Sequence, residues 1–220
     1  MGDEMVDMIT GGEGYIASNL KKFLLNPILY DLQNGDDILN EERLSRKMKG
    51  IRTCFHLAAV SSVPLCETHP VEAIETNICG TQNVLKTAKE NSVKVVFASS
   101  FAIYVNPHTV YGMTKTLGEK IVEHYGGVIC RIANVYGGQG FLQKETAIAR
   151  LMKDTFEERG HGAEKRDFIH VDQVCKKLIE ASTLSNSSII DICTEHMITI
   201  DDLVKLSESP RFPNNLRGEG

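Results

Sequence analysis

The chain has 220 residues, of which 42% are hydrophobic and 24% are charged, and its 24 basic and 29 acidic side chains give a net charge of −5. This composition is typical of a globular protein and excludes a disordered, collagen-like or coiled-coil chain. The sequence has no basic block of the kind that binds nucleic acid, and no apolar run near the roughly 18 residues of a membrane span, so we expect neither partner.

Strands and helices alternate over the first part of the chain. Short apolar runs predict strands, and apolar residues at helical spacing predict helices. In chain order, the predicted elements are strand 5–10, helix 14–25, strand 27–32, helix 41–49, strand 51–59, helix 71–91, strand 93–99, helix 112–125 and strand 128–133. Such regular alternation predicts a doubly wound α/β fold, in which helices cover both faces of a parallel sheet.

The alternation loosens after residue 137. The predicted elements there are a helix over 141–158, a strand over 167–171, a helix over 172–181, a strand over 188–193, a short helix that begins at Thr199 with Asp202 as its capping partner, and an extended tail over 210–220. We therefore divide the chain into a main domain, 1–137, and a reduced cap, 138–220. Strand 128–133 and residues near 167–193 are expected to join or flank the main sheet.

The six cysteines form no C-x-x-C pair, and most of them lie in apolar runs. They are therefore predicted to be reduced, to pack as small hydrophobic side chains and to bind no metal. Reduced thiols indicate a reducing compartment, and the acidic residues near Met1 are unlike a secretory signal, so we expect a cytoplasmic protein. Asp7 lies inside the first predicted strand, and the sequence gives no reason for a charge there.

A glycine-rich segment, Thr10–Ala17, follows the first predicted strand and opens the first predicted helix. Gly12, Gly14 and Ala17 fit the dinucleotide-binding fingerprint, in which glycines let the backbone approach a pyrophosphate at the start of a helix. The alternative is a strand–helix turn that binds no ligand. The context favours the phosphate site and predicts that the main domain is a Rossmann-like dinucleotide-binding domain.

Asp31 lies 20 residues after Gly11, at the end of the second predicted strand. A carboxylate at this position accepts hydrogen bonds from the adenosine ribose and repels a 2′-phosphate, so it favours NAD over NADP. The alternative is that Asp31 only starts a turn before Asn34 and Gly35.

Three side chains are typical of a proton-transfer site. Tyr111 and Lys115 are four residues apart at the start of a predicted helix and project from one face. An ammonium group beside a tyrosine is expected to lower the pKa of the phenol, which makes the phenol a better base. Ser100 ends a predicted strand, at the edge where α/β sheets bind ligands, and is expected to hold the same substrate hydroxyl group. By itself, the Tyr–Lys spacing is more typical of a solvated helix face.

Together these residues resemble the extended short-chain dehydrogenase/reductase family, and in particular its NAD-dependent nucleotide-sugar epimerases and dehydratases. The matching segments occur in the family's order over most of the chain: 10–17, 37–38, 55–59, 61–64, Asn77 with 80–81, 98–100, 111–115, 131–137 and 166–172. By this resemblance, the chain is identified as a shortened member of the family.

The resemblance implies a role for each matching residue. The catalytic residues would be Ser100, Tyr111 and Lys115. The cofactor-binding residues would be Gly11, Gly14, Tyr15, Ile16, Asp31, Asp37, Ile38, Leu57, Ala58, Ala59 and Ser99, together with Tyr111 and Lys115. His56 and His170 lie in apolar strands and are interpreted as structural residues.

A nucleotide-diphosphate sugar is the substrate that the resemblance implies. Asn134 and Arg166 would hold its diphosphate, and Ser62 would contact the sugar. For Arg166 the alternative is a surface ion pair with Asp167 or Asp172, and for Ser62 it is a turn before Pro64. The resemblance also implies a homodimer through the helices predicted over 71–91 and 112–125.

The implied reaction oxidises the hydroxyl group at C4 of the sugar, with NAD as hydride acceptor and Tyr111 as base. Dehydratases of the family have an acidic pair directly after the catalytic hydroxyl residue, whereas Phe101 and Ala102 follow Ser100. Epimerisation through a transient 4-keto sugar is therefore favoured over dehydration. The other functions that stay open are NAD(P)H-dependent reduction of a keto sugar and NAD binding without catalysis.

Two connections are shorter than is usual in the family. Only five residues separate Asp31 from Asp37, fewer than a parallel crossover needs, so an edge strand is expected to be missing and the adenine pocket to be weakened. Only six residues separate Tyr104 from Tyr111, where a longer loop usually lies near the sugar.

Overall fold

Six parallel strands form the main sheet in a computed structural model that describes residues 6–138, 165–199 and 202. These strands are β1 (Val6–Thr10), β2 (Ile28–Tyr30), β3 (Ile51–His56), β4 (Lys94–Ser100), β5 (Val128–Ile132) and β8 (Ile189–Ile192). Their order across the sheet is β2-β1-β3-β4-β5-β8, and every neighbouring pair is parallel. The predicted doubly wound fold is confirmed, and β2 is an edge strand, as the short connection after Asp31 predicts.

A small second sheet contains β6 (Asn134–Tyr136), β7 (Lys165–His170) and β9 (Met197–Thr199), in the order β6-β7-β9. The strand predicted over 167–171 belongs to this sheet, whereas the strand predicted over 188–193 joins the main sheet as β8. The predicted cap contact is present, because the Thr199 hydroxyl oxygen accepts a hydrogen bond from the Asp202 N–H at 3.0 Å. The helix predicted over 141–158 and the tail over 210–220 lie outside the described residues.

The helices flank the main sheet. They are α1 (Tyr15–Leu20), α2 (Glu41–Met48), α3 (Val63–Thr68), α4 (Pro70–Ile74), α5 (Thr81–Glu90), α6 (Ala102–Val105), α7 (Val110–Tyr125) and α8 (Val171–Ala181). A π-helical segment, Glu75–Gly80, joins α4 to α5, so the single helix predicted over 71–91 is confirmed with a π-helical middle. The helix predicted over 14–25 ends early in a 3₁₀ turn, Lys21–Phe23, and Asn26, which precedes a proline, has a non-helical φ of +45°.

Alternate residues of each strand bury opposite faces of the sheet. Val96 packs with Leu20 of α1 and Leu178 of α8, whereas its neighbour Phe97 packs with the apolar faces of α2, α5 and α7. Four of the six cysteines are buried as predicted, but Cys79 is exposed and Cys193 is partly exposed, and all six are free thiols. No helix in the described ranges is long and apolar enough to cross a bilayer.

An ion pair between two neighbouring strands explains the buried charge of Asp7. The Asp7 side chain on β1 is only 7% exposed, and Arg52 on β3 contacts both of its carboxylate oxygens, at 2.7 and 3.2 Å. The Arg52 side chain is largely exposed to solvent, and its positive charge compensates the buried charge of Asp7. This ion pair lies near the start of β1, at the opposite edge of the sheet from the ends of the strands.

Candidate active site

The glycine-rich loop turns sharply between β1 and α1. Gly11 has a φ of +69°, and a Cβ atom there would lie 2.8 Å from the backbone of Ala58. A Cβ atom at Gly12 would lie 2.7 Å from the Leu29 side chain. Gly14 is the N-cap of α1, and no side chain makes a cap hydrogen bond there. The loop therefore has the shape that a phosphate-binding backbone needs.

Tyr15 connects this loop to the second sheet. Its hydroxyl group donates a hydrogen bond to the carbonyl oxygen of Gly137 at 2.5 Å, and burial raises the pKa of the phenol. Tyr15 and Ile16 both pack against the core cluster beneath α1. Tyr15 therefore holds the start of α1 against the end of β6.

Asp31 starts the turn that its alternative interpretation predicts, and it also contacts the glycine-rich loop. Its Oδ1 accepts a hydrogen bond from the Gln33 N–H at 2.9 Å, which starts the turn over 32–34. Its Oδ2 accepts one from the Glu13 N–H at 3.1 Å, which brings the carboxylate next to the glycine-rich loop. Asp31 is thus a turn residue whose carboxylate lies next to the glycine-rich loop, and ribose binding by this carboxylate stays a prediction.

Asp37 and Ile38 close the short connection after β2. Asp37 accepts a hydrogen bond from the Leu39 N–H at 2.9 Å, and its carbonyl oxygen accepts one from the Tyr30 hydroxyl group at 2.9 Å. Ile38 is buried, and its side chain lies so close to Gly80 that a Cβ atom at Gly80 would collide with it. The main contribution of the Ile38 side chain in this structure is therefore to the core.

The segment after β3 runs beside the glycine-rich loop. The Leu57 N–H donates a hydrogen bond to the Thr10 carbonyl oxygen at 3.1 Å, and the Ala58 N–H donates one to the Thr10 hydroxyl oxygen at 3.4 Å. The buried ring of His56 lies between the Thr10 and Thr81 hydroxyl groups, at 2.7 and 2.9 Å, and burial lowers the pKa of the ring to about 3. These contacts agree with the interpretation of His56 as a neutral structural residue.

Ser100, Tyr111 and Lys115 come together at the edge of the sheet where the parallel strands end. Ser100 is the last residue of β4, and it is hydrogen-bonded to the phenol of Tyr111 on α7. The ammonium group of Lys115 donates a hydrogen bond to the Ala98 carbonyl oxygen at 2.8 Å and lies 5.8 Å from the centre of the Tyr111 ring. The structure therefore brings together the three side chains that the sequence predicts as a proton-transfer site.

The pKa values of this group differ from the prediction. Burial raises the pKa of Tyr111 to about 12, and the hydrogen bond from Ser100 acts in the opposite direction. The expected lowering by Lys115 is absent, because the ammonium group is bound to a strand carbonyl and lies over the ring. Burial lowers the pKa of Lys115 to about 8. In the ligand-free chain, the phenol is therefore protonated at neutral pH.

Ser99 differs from Ser100 in its partner. Its hydroxyl group donates a hydrogen bond to Oε1 of Glu119 at 2.5 Å, in the interior between β4 and α7. Successive residues of a strand face opposite sides of the sheet. The Ser99 hydroxyl group, predicted to bind cofactor, is therefore occupied by a protein carboxylate.

The residues predicted to bind substrate are divided between two regions. Ser62 is the N-cap of α3 and accepts a hydrogen bond from the Leu65 N–H at 3.3 Å, as its alternative interpretation predicts. Asn134 and Arg166 lie on the adjacent strands β6 and β7, and the Asn134 amide donates a hydrogen bond to the Asp167 carbonyl oxygen at 3.2 Å. The Asp167 carboxylate accepts hydrogen bonds from the N–H groups of Thr194 and His196.

Two buried polar side chains beside this site, Asn77 and Glu119, have no predicted role. Asn77, in the π-helical segment, binds both the N–H and the carbonyl oxygen of Val60, at 2.8 and 3.0 Å, and donates to the Thr114 hydroxyl oxygen at 3.1 Å. Glu119 lies one turn after Lys115 on α7 and forms an ion pair with Arg131 at 2.8 Å. Glu119 follows Lys115 by four residues on the predicted helix, and this spacing could have indicated that the two side chains lie on the same face.

Comparison with known proteins shows the family. Residues 25–140 match the family model described as polysaccharide biosynthesis protein, and this match covers more than half of the chain. The chain therefore belongs to this family, whose domain is of the extended short-chain dehydrogenase/reductase type.

Three relatives illustrate the range of the similarity. An uncharacterized membrane protein of Methanocaldococcus jannaschii is 28% identical over 236 residues, which cover 90% of this chain and 69% of the relative. A UDP-glucose 4-epimerase of Rickettsia rickettsii is 41% identical over 141 residues, which cover 52% of this chain and 41% of the relative. An inverting UDP-N-acetylglucosamine 4,6-dehydratase of Campylobacter jejuni is 35% identical over 113 residues, which cover 47% of this chain and 34% of the relative.

Solved structures support the fold. A UDP-glucose 4-epimerase of Thermotoga maritima, solved with UDP-glucose, has a TM-score of 0.81 at 24% identity, over 92% of this chain and 81% of that one. A dTDP-glucose 4,6-dehydratase of Streptomyces venezuelae, solved with NAD, has a TM-score of 0.81 at 22% identity, over 92% of this chain and 80% of that one. Both have the fold of this chain.

Proposed function

We propose that this chain is a NAD-dependent nucleotide-sugar epimerase that works through a transient 4-keto sugar, with Tyr111 as the base. The observation that carries the proposal is the meeting of Ser100, Tyr111 and Lys115 at the sheet edge where the glycine-rich loop also lies. Membership of the family and the identity to a UDP-glucose 4-epimerase support it. A protein that only binds NAD does not need these three side chains.

The glycine-rich loop fits the pyrophosphate of NAD. A Cβ atom built at Gly14 would meet the Gly11 carbonyl oxygen at 3.1 Å, and no side chain caps α1 at this point. Backbone N–H groups at the start of a helix attract phosphate. In the proposed complex the residues that line the cofactor are Gly11, Gly14, Tyr15 and Ile16 at the pyrophosphate, Asp31 at the ribose, Asp37 and Ile38 at the adenine, and Leu57, Ala58 and Ala59 at the nicotinamide. Ser99 is assigned to the cofactor site without its hydroxyl group, which donates to Glu119.

The proposed chemistry depends on the phenol of Tyr111. It takes the proton of the sugar 4-hydroxyl group and later returns a proton to the keto oxygen, while Ser100 holds the same oxygen by a hydrogen bond. When bound, NAD supplies the hydride acceptor and donor and, in its oxidised form, a positive charge. Since burial raises the pKa of Tyr111 to about 12, the phenol needs such a charge beside it to act near neutral pH.

The charged and polar side chains of the second sheet support a diphosphate-bearing substrate. Arg166 on β7 provides a planar cation of the kind that binds phosphate, and Asn134 lies on the neighbouring strand. We assign both to the substrate diphosphate and Ser62, at the start of α3, to the sugar. The division into a main domain, 1–137, and a substrate-binding cap, 138–220, belongs to the same proposal.

Dehydration is the second candidate, because a 4,6-dehydratase is among the relatives. Elimination of water needs an acid and a base at C5 and C6 of the sugar in addition to the group that acts at C4. The two residues that follow Ser100 are Phe101 and Ala102, and neither carries a group that transfers protons. The described residues therefore support epimerisation better than dehydration.

A homodimer through the helices of 71–91 and 112–125 is also proposed. Val71 and Ile74 on α4 are 69% and 44% exposed, and Met113 and Leu117 on α7 are 47% and 50% exposed. Helices α4 and α7 pack against each other, so these four side chains lie on one helix pair. Exposed apolar patches of this kind mark interaction surfaces. The free thiols support a location in the reducing cytoplasm.

Replacement of Tyr111 tests the proposed function. We expect Tyr111→Phe to lower turnover by about 10³-fold, because general base catalysis is lost, while the Kd for NAD stays within about threefold of the wild-type value. Turnover is measured by NMR analysis of products from a panel of UDP-, GDP- and dTDP-sugars. Tyr125→Phe, at the other end of α7, is the matched control and retains activity. A Tyr111→Phe enzyme as active as the wild type excludes Tyr111 as the base.

The charge of Asp31 is expected to set the preference for NAD. Asp31→Asn removes the charge that repels a 2′-phosphate and keeps an oxygen for the Gln33 N–H, so the ratio of the Kd values for NADP and NAD falls about tenfold or more. Asp31→Ala also removes the turn contacts and costs about 1 kcal/mol of stability. Glu13→Gln, which changes a neighbouring carboxylate, is the control. An unchanged ratio in Asp31→Asn means that Asp31 is a turn residue only.

Leu117→Glu is expected to dissociate the proposed dimer, because it places a charge in an apolar interface. Since Leu117 is half-exposed in the single chain, the charged side chain can reach water there, and the fold is retained. The measurement is the molar mass from light scattering at several protein concentrations. Leu32→Glu, at an exposed apolar residue far along the chain, is the control and remains dimeric. A wild-type protein that is monomeric throughout, or a Leu117→Glu variant that remains dimeric, contradicts this interface.

A further inference from the structure

Glu119 is a buried carboxylate that the proposed reaction does not use. It is 5% exposed, and it lies one helical turn after Lys115 on α7. Its Oε2 accepts a hydrogen bond from Nη2 of Arg131 at 2.8 Å, and its Oε1 accepts bonds from Nε of Arg131 at 3.0 Å and from the Ser99 hydroxyl group at 2.5 Å. Buried carboxylates are rare and occur when they are paired, as Glu119 is with Arg131.

We propose that Glu119 is a positioning residue for Lys115: its buried carboxylate fixes the turn of α7 that carries Lys115 onto β4 and β5, and its negative charge balances the buried ammonium group. This inference rests on the proposed function, in which Lys115 acts as a cation beside Tyr111. In that proposal Glu119 contacts neither the substrate nor the cofactor.

The geometry of β4 supports this role. Ala98 and Ser99 are adjacent on the strand, and they bind side chains that are one helical turn apart on α7: Ala98 accepts from Lys115, and Ser99 donates to Glu119. Arg131, the second partner of Glu119, is paired in register with Ser99 on the neighbouring strand. Two strands therefore hold one carboxylate, and the Lys115 ammonium is bound one residue away along β4.

The surrounding charges make Glu119 the anion that acts on Lys115. Burial lowers the pKa of Lys115 to about 8, while Cys66 and Glu119 raise it. Burial raises the pKa of the Cys66 thiol on α3, and the phenol of Tyr111 has a pKa of about 12, so neither is charged at neutral pH. His56 on β3 is neutral, with a pKa near 3. Glu67 on α3 is bound to the Val110 N–H at the start of α7.

The ion pair also reaches the segment that follows Ser100. Arg131 donates a hydrogen bond to the Tyr104 hydroxyl oxygen at 2.5 Å, and its guanidinium lies 5.2 Å from the centre of that ring. Tyr104 in turn donates to the Asp191 carboxylate on β8 at 3.3 Å. This network of hydrogen bonds therefore connects α7, through Glu119 and Arg131, to Tyr104 on the short helix α6.

The test is an NMR titration of Lys115 in the full chain labelled with ¹³C at lysine Cε, with the resonance assigned by its loss in Lys115→Arg. In Glu119→Gln, we expect the midpoint of the Lys115 titration to move by about 1 pH unit to lower pH, the size of effect that one nearby charge has in a protein interior. Glu119→Asp keeps the charge and restores the midpoint to near the wild-type value. Glu123→Gln, one turn further along α7 in an exposed pair with Lys120, leaves it unchanged.

An unchanged Lys115 midpoint in Glu119→Gln overturns the inference. If that variant does not fold because Arg131 is left unpaired, the double variant Glu119→Gln, Arg131→Met removes both charges. The double variant is compared with Arg131→Met alone, so that both lack the positive charge: we expect its Lys115 midpoint to lie at lower pH than in Arg131→Met, and equal midpoints likewise overturn the inference. The titration needs no turnover, so inactivity towards every nucleotide sugar would refute the proposed function without deciding this point. In an active enzyme, the decline of kcat/KM at high pH moves with the Lys115 midpoint.

Discussion

The hydrogen bond from the Lys115 ammonium group to the Ala98 carbonyl oxygen joins α7 to the strand that ends in Ser100. This contact places a buried cation beside the phenol of Tyr111, and it determines how the helix lies across the end of β4. Since β1 and β4 run in the same direction, the glycine-rich loop after β1 opens at the same edge. The glycine-rich loop and the group of Ser100, Tyr111 and Lys115 are therefore neighbours because of the parallel sheet.

The shortened connections leave this arrangement in place. The link between Asp31 and Asp37 contains a single turn, which begins at Asp31. At its end, the Tyr30 hydroxyl group donates a hydrogen bond to the Asp37 carbonyl oxygen. It leaves β2 as the edge strand of the described sheet, three strands from β4 in the order β2-β1-β3-β4. The short segment after Ser100 is fixed by the hydrogen bond that Arg131 donates to the Tyr104 hydroxyl oxygen. One short connection follows β2 and the other precedes Tyr111, and the residues that gather around Tyr111 are supported from β4 and β5.

The periodic features of the sequence predicted the fold and the position of the site. Alternating strands and helices determine a parallel sheet, and the ends of such strands meet at one edge, so Gly11, Ser100 and Tyr111 were expected near one another. Side-chain pairs between distant segments could not be predicted in the same way. Arg52 meets Asp7, and Arg131 meets Glu119, only because of strand register and helix rotation, which no local pattern encodes. Ile38 matched a cofactor position in sequence, but its burial against Gly80 depends on the path of the π-helical segment.

The pKa of Tyr111 is a second property that could not be predicted from the four-residue spacing between Tyr111 and Lys115. A lysine four residues away suggested a lowered pKa, whereas the folded chain buries the phenol and raises it to about 12. Burial removes the water that would stabilise the phenolate, and the Lys115 ammonium is engaged by a backbone carbonyl. The ligand-free chain therefore holds a protonated phenol at neutral pH, and the proposed role of Tyr111 as a base requires a positive charge beside the phenol in addition to that of Lys115.

Transfer of the hydrogen at C4 of the sugar tests the central claim most directly. Nucleotide sugars that carry deuterium at C4 are incubated with the protein and catalytic NAD, and the products are analysed by NMR. The account predicts a C4-inverted sugar that retains the deuterium at C4, because the same hydride leaves and returns. A product that carries protium at C4, a stable 4-keto-6-deoxy sugar, or no conversion of any UDP-, GDP- or dTDP-sugar would contradict it.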